Sequence, residues 1–273
     1  MKVSIALYNR KNGVKEAASR LAEMLSSYGA EASVFDNGDA ALFESDPDFI
    51  VSLGGDGSLL HLARHALENG RDIPIVGINY GHTGYMSEID FKKCKKEDLA
   101  PLFDGSAVTE ERMVIRSEIV RDGKTLCKGY ALNDVVVLRS RKAHVSEYVL
   151  SSEGKEITRF IADGIIFATP TGSTAYSLSA GGPIIDPVMR CLLVTPVCAH
   201  TLTARPIVFS EKTELCLKVS ERTDSAIYLQ NDGVTAAELK DGDEIRIKRS
   251  QKKIRLLKLD RRSFYGAVNA KLK

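Results

Sequence analysis

The sequence predicts an α/β domain with an open, mostly parallel sheet and helices, followed by an all-β domain. Two observations support this division. In residues 1–108, short apolar runs of strand length alternate with segments whose apolar residues recur at helical spacing. In residues 109–258 the helical period fades, and strand-length runs separated by turn residues take its place. Residues 259–273 remain as a short C-terminal tail.

The first domain begins with a strand and a helix. Lys2 to Tyr8 is an apolar run of strand length, and apolar residues then recur at helical spacing from Val14 to Tyr28. A strand followed at once by a helix is the beginning of a βαβ unit, which favours a parallel sheet. The pattern then predicts, in order, strand Ala32–Phe35, strand Phe49–Leu53, helix Ser58–Leu67 and strand Ile73–Ile78.

The second domain is predicted to be mainly β. Asp122-Gly123 and Glu153-Gly154 separate two pairs of strand-length runs, which we expect to be hairpins. The lysines and arginines between Arg246 and Arg262 are interpreted as a solvated strand face. The predicted strands are Met113–Val120, Thr125–Tyr130, Leu132–Leu138, Val145–Ser151, Glu156–Ile161, Gly164–Ala168, Cys191–Val197, Ile207–Phe209, Glu214–Val219, Ala226–Leu229, Asp243–Lys248 and Lys253–Leu257.

Bulk composition excludes several classes of protein. The 38 Lys and Arg residues against 36 Asp and Glu residues leave a net charge of +2, so we expect neither nucleic acid nor an anionic membrane as a partner. No apolar run reaches membrane-spanning length and no signal peptide is evident, which predicts a soluble, cytoplasmic protein. The five cysteines contain no C-x-x-C pair, so we expect free thiols.

The segment Gly54-Gly55-Asp56-Gly57-Ser58 joins a predicted strand to a predicted helix. Glycines at such a turn bring backbone N–H groups close to a phosphate, and the helix N-terminus adds its positive dipole end. The alternative is a tight turn in which Asp56 merely caps the helix. The loop Asn79–Met86 leaves the carboxyl end of another strand, so the two loops could line a common cleft.

Two histidines on the helix after Asp56 raise the question of a metal. His61 and His65 stand four residues apart, a spacing that could bind a metal ion, but the sequence lacks the Glu that a zinc protease places after the first His. We interpret them as ordinary surface histidines and predict no metal-ligating residues in the chain.

Polar residues in the second domain indicate a second binding site. Asn133-Asp134 interrupts an apolar run, which costs stability unless a ligand or a local turn satisfies the two side chains. His144 precedes a predicted strand, and taken alone it is equally consistent with a structural role. From Asp163 to Ile184, a buried strand leads into small and hydroxyl residues around Tyr176, a composition that suits a flat aromatic ring.

Taken together, these segments resemble the NAD kinase family of bacterial type. The matches are Gly54-Gly55-Asp56-Gly57, Asn133-Asp134, the long stretch Asp163–Ile184, His200-Thr201-Leu202 and Ser263-Phe264-Tyr265, so the resemblance covers nearly the whole chain. One departure is Asp134, where Glu is common in the family. The resemblance implies that the C-terminal tail packs back on the first domain and that the chain forms a homodimer or homotetramer.

The resemblance also implies a reaction, the transfer of the γ-phosphoryl group of ATP to the 2′-hydroxyl of the adenosine ribose of NAD. Asp56 would be the catalytic base, ATP the co-substrate, and a divalent ion, Mg²⁺, the cofactor, bound mainly through the nucleotide phosphates. The implied phosphate-binding residues are Gly54, Gly55, Gly57 and Ser58. The implied NAD-binding residues are Asp56, Gly57, Asn133, Asp134, His144, Asp163, Thr174, Ala175, Tyr176, Ser177, Leu178 and Ser179.

Two other functions share part of the pattern. Lipid kinases of the diacylglycerol and sphingosine type carry a G-G-D-G loop, but they lack the Thr169–Ile184 stretch. A catalytically silent dinucleotide sensor would have lost the acid, whereas Asp56 is present. Both alternatives predict that no NADP forms from NAD and ATP.

Overall fold

The computed structural model describes residues 1–8, 12–81, 84–140, 146–201, 203–219, 226–259 and 264–271. The chain divides into two compact units, one formed by residues 1–112 with 253–273 and the other by residues 113–252. The first unit is therefore discontinuous in sequence. The sequence-based boundaries were 108 and 258, so the predicted strand Lys253–Leu257 lies in the first unit and not in the β-rich one.

The first unit has the predicted alternation of strands and helices. Its elements are β1 (Lys2–Leu7), α1 (Val14–Ser26), β2 (Glu31–Asp36), α2 (Ala41–Glu44), β3 (Phe49–Gly54), α3 (Asp56–Glu68), β4 (Ile75–Asn79), β5 (Ile89–Asp90), 3₁₀ turns at Phe91–Lys93 and Lys96–Leu99, α4 (Pro101–Asp104) and, near the C-terminus, α6 (Phe264–Lys271). The strands lie in the order β2-β1-β3-β4, and each pairing is parallel. The order reverses at β1, which places a topological switch point between the carboxyl ends of β1 and β3.

The core of the first unit explains its sequence pattern. β3 and β4 are buried at every position, as expected for parallel strands covered on both faces. The apolar face of α1 packs Ala18, Leu21 and Leu25 against this sheet. Leu257 and Leu259, from the returning part of the chain, pack against the same core.

The second unit consists of antiparallel strands. Its elements are β7 (Lys124–Ala131), β8 (Asp134–Arg139), β9 (Ser146–Ser152), β10 (Lys155–Ala162), β11 (Gly164–Ala168), a 3₁₀ turn at Thr171–Thr174, α5 (Tyr176–Ser179), β12 (Cys191–Val197), β13 (Ile207–Ser210), β14 (Leu215–Val219), β15 (Ile227–Asn231) and β16 (Val234–Leu239). β6 (Val108–Arg121) and β17 (Glu244–Lys258) contain residues of both units.

Two groups of strands enclose the core of the second unit. One group is a sheet with the strand order β13-β12-β11-β8-β15-β16. The other group consists of β10, β9, β14 and β17, which are neighbours in that order. Tyr148, Phe160 and Phe167 are the largest fully buried side chains of this core. The predicted fold class, an α/β domain followed by a β-rich domain, is confirmed.

The predicted hairpin turns are present. Asp122 and Gly123 both have positive φ, 50° and 75°, and Glu153 and Gly154 have 51° and 74°. Two successive positive φ values belong to the type I′ turn, whose twist matches that of antiparallel strands. The second position favours glycine because it has no Cβ to clash in this region.

Several features expected from composition can be located in the structure. In the basic run, Lys248 pairs with Glu214 and Arg249 with Glu211 near the surface. Lys258 differs, because its partner Glu88 has a buried side chain, and Arg261 and Arg262 lie outside the described residues. All five cysteines are free. In the part of the chain that the structure describes, no helix has the length and apolar content needed to cross a bilayer.

Candidate active site

The glycine-rich turn lies at the carboxyl edge of the parallel sheet. β3 ends at Gly54, and α3 begins at Asp56, two residues earlier than predicted. Gly54 is paired with Asn79 in the parallel register of β3 and β4, and the Tyr80 amide donates to the Gly54 carbonyl at 2.9 Å. The two loops that follow these strands therefore leave the same edge of the sheet, as the sequence predicted, next to the switch point.

The carboxylate of Asp56 is held by the second loop. It accepts hydrogen bonds from the backbone amides of Tyr85, at 2.6 Å, and Met86, at 3.1 Å, and from the Ser87 hydroxyl at 3.4 Å. The cap position of α3 is occupied by Gly55, which has no side chain that could cap the helix. The carboxylate is thus engaged with residues 85–87, which argues against a role as a simple helix cap.

Gly84 is the residue that lets the second loop approach Asp56. A Cβ added to Gly84 would lie 1.7 Å from Asp56 Oδ1, far inside van der Waals contact. Any other residue would push the carboxylate or the loop away. The sequence showed a glycine here, but the reason for it depends on a contact between residues 28 positions apart.

The N-terminus of α3 presents open backbone. A Cβ built on Gly55 or Gly57 would meet no described atom within 4 Å, and Gly57 is exposed. Gly54 differs from Gly55 and Gly57. The Ser58 hydroxyl lies 2.3 Å from the position that a Cβ on Gly54 would take, so Ser58 covers this glycine. The helix N-terminus, with its positive dipole end, can accommodate an anion at this place.

In the second unit, Asn133 and Asp134 lie on a segment whose backbone is hydrogen-bonded by two residues, Asp232 and Thr169. The Asp232 carboxylate accepts from the amides of Leu132, Asn133 and Asp134 at 2.7, 2.8 and 3.0 Å. Thr169 donates its hydroxyl to the Leu132 carbonyl at 2.6 Å and its amide to the Asn133 carbonyl at 2.9 Å. No local sequence pattern indicates either positioning residue, since neither is near the segment in the chain.

Asn133 retains unused hydrogen-bonding capacity. Its Oδ1 is buried, and none of the described residues donates to it. A buried acceptor without a partner costs free energy, which a ligand N–H or O–H can recover.

Asp134 begins β8, where its side chain is 6% exposed. Burial raises the pKa of this carboxyl from 3.8 to about 7, and the nearby Asp232 carboxylate acts in the same direction. A hydrogen bond from the Tyr176 amide opposes the shift. Both protonation states of Asp134 are therefore accessible near neutral pH.

The hydroxyl-rich stretch after β11 divides into framework and exposed residues. The Ser173 hydroxyl donates to the Pro170 carbonyl at 2.7 Å and accepts from the Ile185 amide at 3.0 Å. Ser177 is fully buried and shares a 2.8 Å hydrogen bond with Thr195. The Ser177 hydroxyl, predicted to line a pocket, is thus already engaged within the protein.

The remaining predicted residues of this stretch are more accessible. Tyr176 is 40% exposed and Ser179 is exposed, while Thr174, Ala175 and Leu178 are half-buried. Burial raises the pKa of the Tyr176 hydroxyl, and Cys198, Asp134 and Asp163 add to the shift. Tyr176 is therefore within electrostatic range of two predicted NAD-binding carboxyls.

Asp163 is held by a residue that the sequence did not reveal. Arg139 Nε and Nη2 donate to Asp163 Oδ1 at 3.0 and 2.6 Å. β8 and β11 are antiparallel neighbours, with Gly164 opposite Leu138, which brings the basic end of β8 beside the start of β11. His144 lies outside the described residues.

Comparison with known families decides the assignment. The model of the ATP-NAD kinase N-terminal domain matches residues 6–106, and that of the ATP-NAD kinase C-terminal domain matches residues 132–259. The chain belongs to the ATP-NAD kinase family. The family resemblance drawn from the sequence motifs is confirmed.

Curated members of the ATP-NAD kinase family are similar over most of their length. The NAD kinase of Trichlorobacter lovleyi is 38% identical over 226 residues, which is 83% of this chain and 78% of the relative. The NAD kinase of Acidobacterium capsulatum is 38% identical over 255 residues, 92% of this chain and 86% of the relative.

Solved structures of the ATP-NAD kinase family have the same fold. Yeast NADH kinase complexed with NADH aligns with a TM-score of 0.85 at 24% identity, covering 100% of this chain and 87% of that one. An NAD kinase from Archaeoglobus fulgidus in complex with ATP aligns with a TM-score of 0.79 at 24% identity, covering 100% and 98%.

Proposed function

We propose that this member of the ATP-NAD kinase family transfers the γ-phosphoryl group of ATP to the 2′-hydroxyl of the adenosine ribose of NAD, giving NADP. NAD kinase is the name of its curated relatives. The observation that carries the assignment of the catalytic group is the fixed carboxylate of Asp56, placed at a glycine-rich strand-to-helix turn beside an open helix N-terminus.

Asp56 orients the ribose hydroxyl and accepts its proton as the phosphoryl group transfers. Phosphoryl transfer passes through a loose transition state, so catalysis depends on holding the nucleophile in line and on stabilising charge. The hydrogen bonds from Tyr85 and Met86 fix both oxygens of the carboxylate, which restricts its orientation before substrate binds.

The backbone of residues 54–57 and the N-terminus of α3 bind the ATP phosphates. The described residues contain no group of three or more His, Cys, Asp or Glu side chains that could hold a metal ion. The proposed Mg²⁺ would be held mainly by the nucleotide phosphates at this turn, since Mg²⁺ needs few protein ligands in such sites. When bound there, the ion neutralises phosphate charge.

Most of the proposed NAD-binding residues belong to the second unit. Asn133, through its unpartnered Oδ1, and Asp134 hold ribose and adenine groups. Asp163, oriented by Arg139, holds the nicotinamide carboxamide with help from Ala175. Thr174, Tyr176, Leu178 and Ser179 line the adenine pocket, with Ser177 in its framework, and His144 supplies a further contact.

The family pattern leads us to propose in addition that the protein works in the cytoplasm as a homodimer or homotetramer. Light scattering coupled to size-exclusion chromatography distinguishes these two states from a monomer.

The test of the proposed function uses NAD, ATP and Mg²⁺ with the intact protein, and detects the product with an NADP-specific dehydrogenase. Asp56→Asn is expected to bind NAD as tightly as the wild type while kcat falls by at least about 100-fold, because the base is lost. Glu68→Gln, which removes an exposed carboxylate at the other end of the same helix, serves as the matched control and should keep kcat. Absence of NADP formation at high enzyme concentration would leave the lipid kinase and the silent sensor, and near-normal turnover of Asp56→Asn would remove Asp56 from its role.

A further inference from the structure

An ion pair with a buried carboxylate involves the residue that follows the loop holding Asp56; the Lys258 side chain is 24% exposed. The Glu88 side chain is 4% exposed, and its Oε1 accepts from Lys258 Nζ. Its second oxygen accepts from the Leu259 amide at 3.3 Å. Burial raises the pKa of Glu88, whereas Lys258 acts in the opposite direction. All three residues belong to the first unit.

Glu88 is also anchored through its backbone. Its amide donates to the Gly77 carbonyl at 2.8 Å, which ties it to β4. The residues just before it, Tyr85 to Ser87, carry the three donors that hold the Asp56 carboxylate. Residues 85–88 therefore bind the Asp56 carboxylate at one end and include, at the other end, the Glu88 carboxylate that pairs with Lys258.

We infer that Glu88 and Lys258 are positioning residues for the phosphoryl transfer, because they fix the segment whose amides orient Asp56. The inference rests on the proposed function, in which Asp56 is the base. Leaving Glu88 buried and charged without its cation is costly, so Glu88 takes up a proton or moves toward water, and either change loosens the segment that Glu88 anchors. The Tyr85 and Met86 amides move with it, and small displacements of a catalytic group have large effects on rate.

A second ion pair provides a matched control. Arg255 lies on β17 three residues before Lys258, and its Nε donates to Asp72 Oδ1 at 2.8 Å. Asp72 precedes β4, at the end of that strand opposite the active-site edge, and its side chain is 55% exposed. Both pairs join β17 to the N-terminal part of the first unit. Only the Glu88 pair is next to the loop that holds Asp56.

The experiment compares Lys258→Met, Glu88→Gln and Arg255→Met in the intact protein. Lys258→Met and Glu88→Gln are expected to lower kcat by about 10- to 100-fold with KM for NAD and ATP within about twofold of the wild type. Arg255→Met should keep kcat. Lys258→Arg, which retains the charge, should recover most of the lost turnover.

Two further readouts separate positioning from general damage. Hydrogen exchange of the peptide containing Tyr85 and Met86 should be faster in Lys258→Met than in Arg255→Met. In an Asp56→Asn background, Lys258→Met should cause no additional loss of the residual rate, because both changes act on the same group. If a single variant fails to fold, the double variant Glu88→Gln with Lys258→Met leaves no buried charge and carries the same kcat test.

The outcomes distinguish this inference from the proposed function. Equal kcat in Lys258→Met and Arg255→Met, or an additive loss in the Asp56→Asn background, overturns the positioning role while Asp56 keeps its own. Failure of the wild type to phosphorylate NAD, or full activity of Asp56→Asn, overturns the proposed function itself.

Discussion

Replacing Asp134 by Asn should change how the stability of the β-rich unit depends on pH. The carboxyl has a folded-state pKa of about 7 against an ordinary value of 3.8, because burial and the Asp232 carboxylate disfavour its charge. A raised pKa means that the folded state holds this proton more tightly than the unfolded state. The resulting stabilisation is complete below pH 3.8 and is lost as the pH rises to about 7.

The size of the effect follows from the shift. A difference of roughly three pKa units corresponds to roughly 4 kcal/mol at about 1.4 kcal/mol per unit. Asn keeps an acceptor for the Tyr176 amide but does not titrate. The free energy of unfolding of Asp134→Asn relative to wild type should therefore rise between pH 4 and 7 and level off above.

Urea unfolding at several pH values measures this difference, with far-UV circular dichroism and tyrosine fluorescence as probes whose transitions must coincide. The ¹³C shift of the Asp134 carboxyl gives the pKa directly. Asp241→Asn, at an exposed site of the same unit, controls for the loss of one surface charge. A stability difference that stays constant from pH 4 to 8, or a carboxyl that titrates near pH 4, would refute the reasoning.

Further predictions concern the two predicted binding regions. Gly84→Ala should lower kcat by about 100-fold or more, since its Cβ would occupy the position of Asp56 Oδ1 and displace the base; steady-state kinetics showing normal kcat would mean that the loop adapts. Tyr176→Ala should raise the dissociation constant for NAD about tenfold or more while the melting temperature hardly changes, because the ring is 40% exposed. Calorimetric titration measures the dissociation constant, and thermal unfolding measures the melting temperature. A large fall in the melting temperature of Tyr176→Ala would instead make Tyr176 a structural residue.

The elements that the sequence predicted correctly have strong local signals. Gly164–Ala168 and Cys191–Val197 are observed with the predicted bounds, because both segments are mostly apolar and each follows a charged residue, Asp163 or Arg190. Strand ends were less certain. β6 was expected from Met113 and begins at Val108, since residues 109–112 are polar and carry no apolar pattern.

Side-chain pairings at the site could not be predicted in the same way. Asp232 bonds to amides 98 to 100 positions away, and Arg139 bonds to Asp163 across 24 positions. Periodicity reports only which face of an element is apolar, so it contains no signal for such contacts. The buried Ser177 was missed for a related reason, because α5 has four residues and is too short to show an apolar face.

The discontinuous first unit has a consequence for the order in which the protein can be completed during translation. Residues 1–112 leave the ribosome first, but their unit lacks Lys258 and the parallel partner of Ile75, Leu256, until the entire β-rich unit has been synthesised. Until then Glu88 has no cation to neutralise it. Most of the first unit is therefore synthesised first, but the unit is completed only at the end of translation. A nascent chain contains the Asp56 turn before it contains Lys258, which pairs with Glu88 beside that turn's loop.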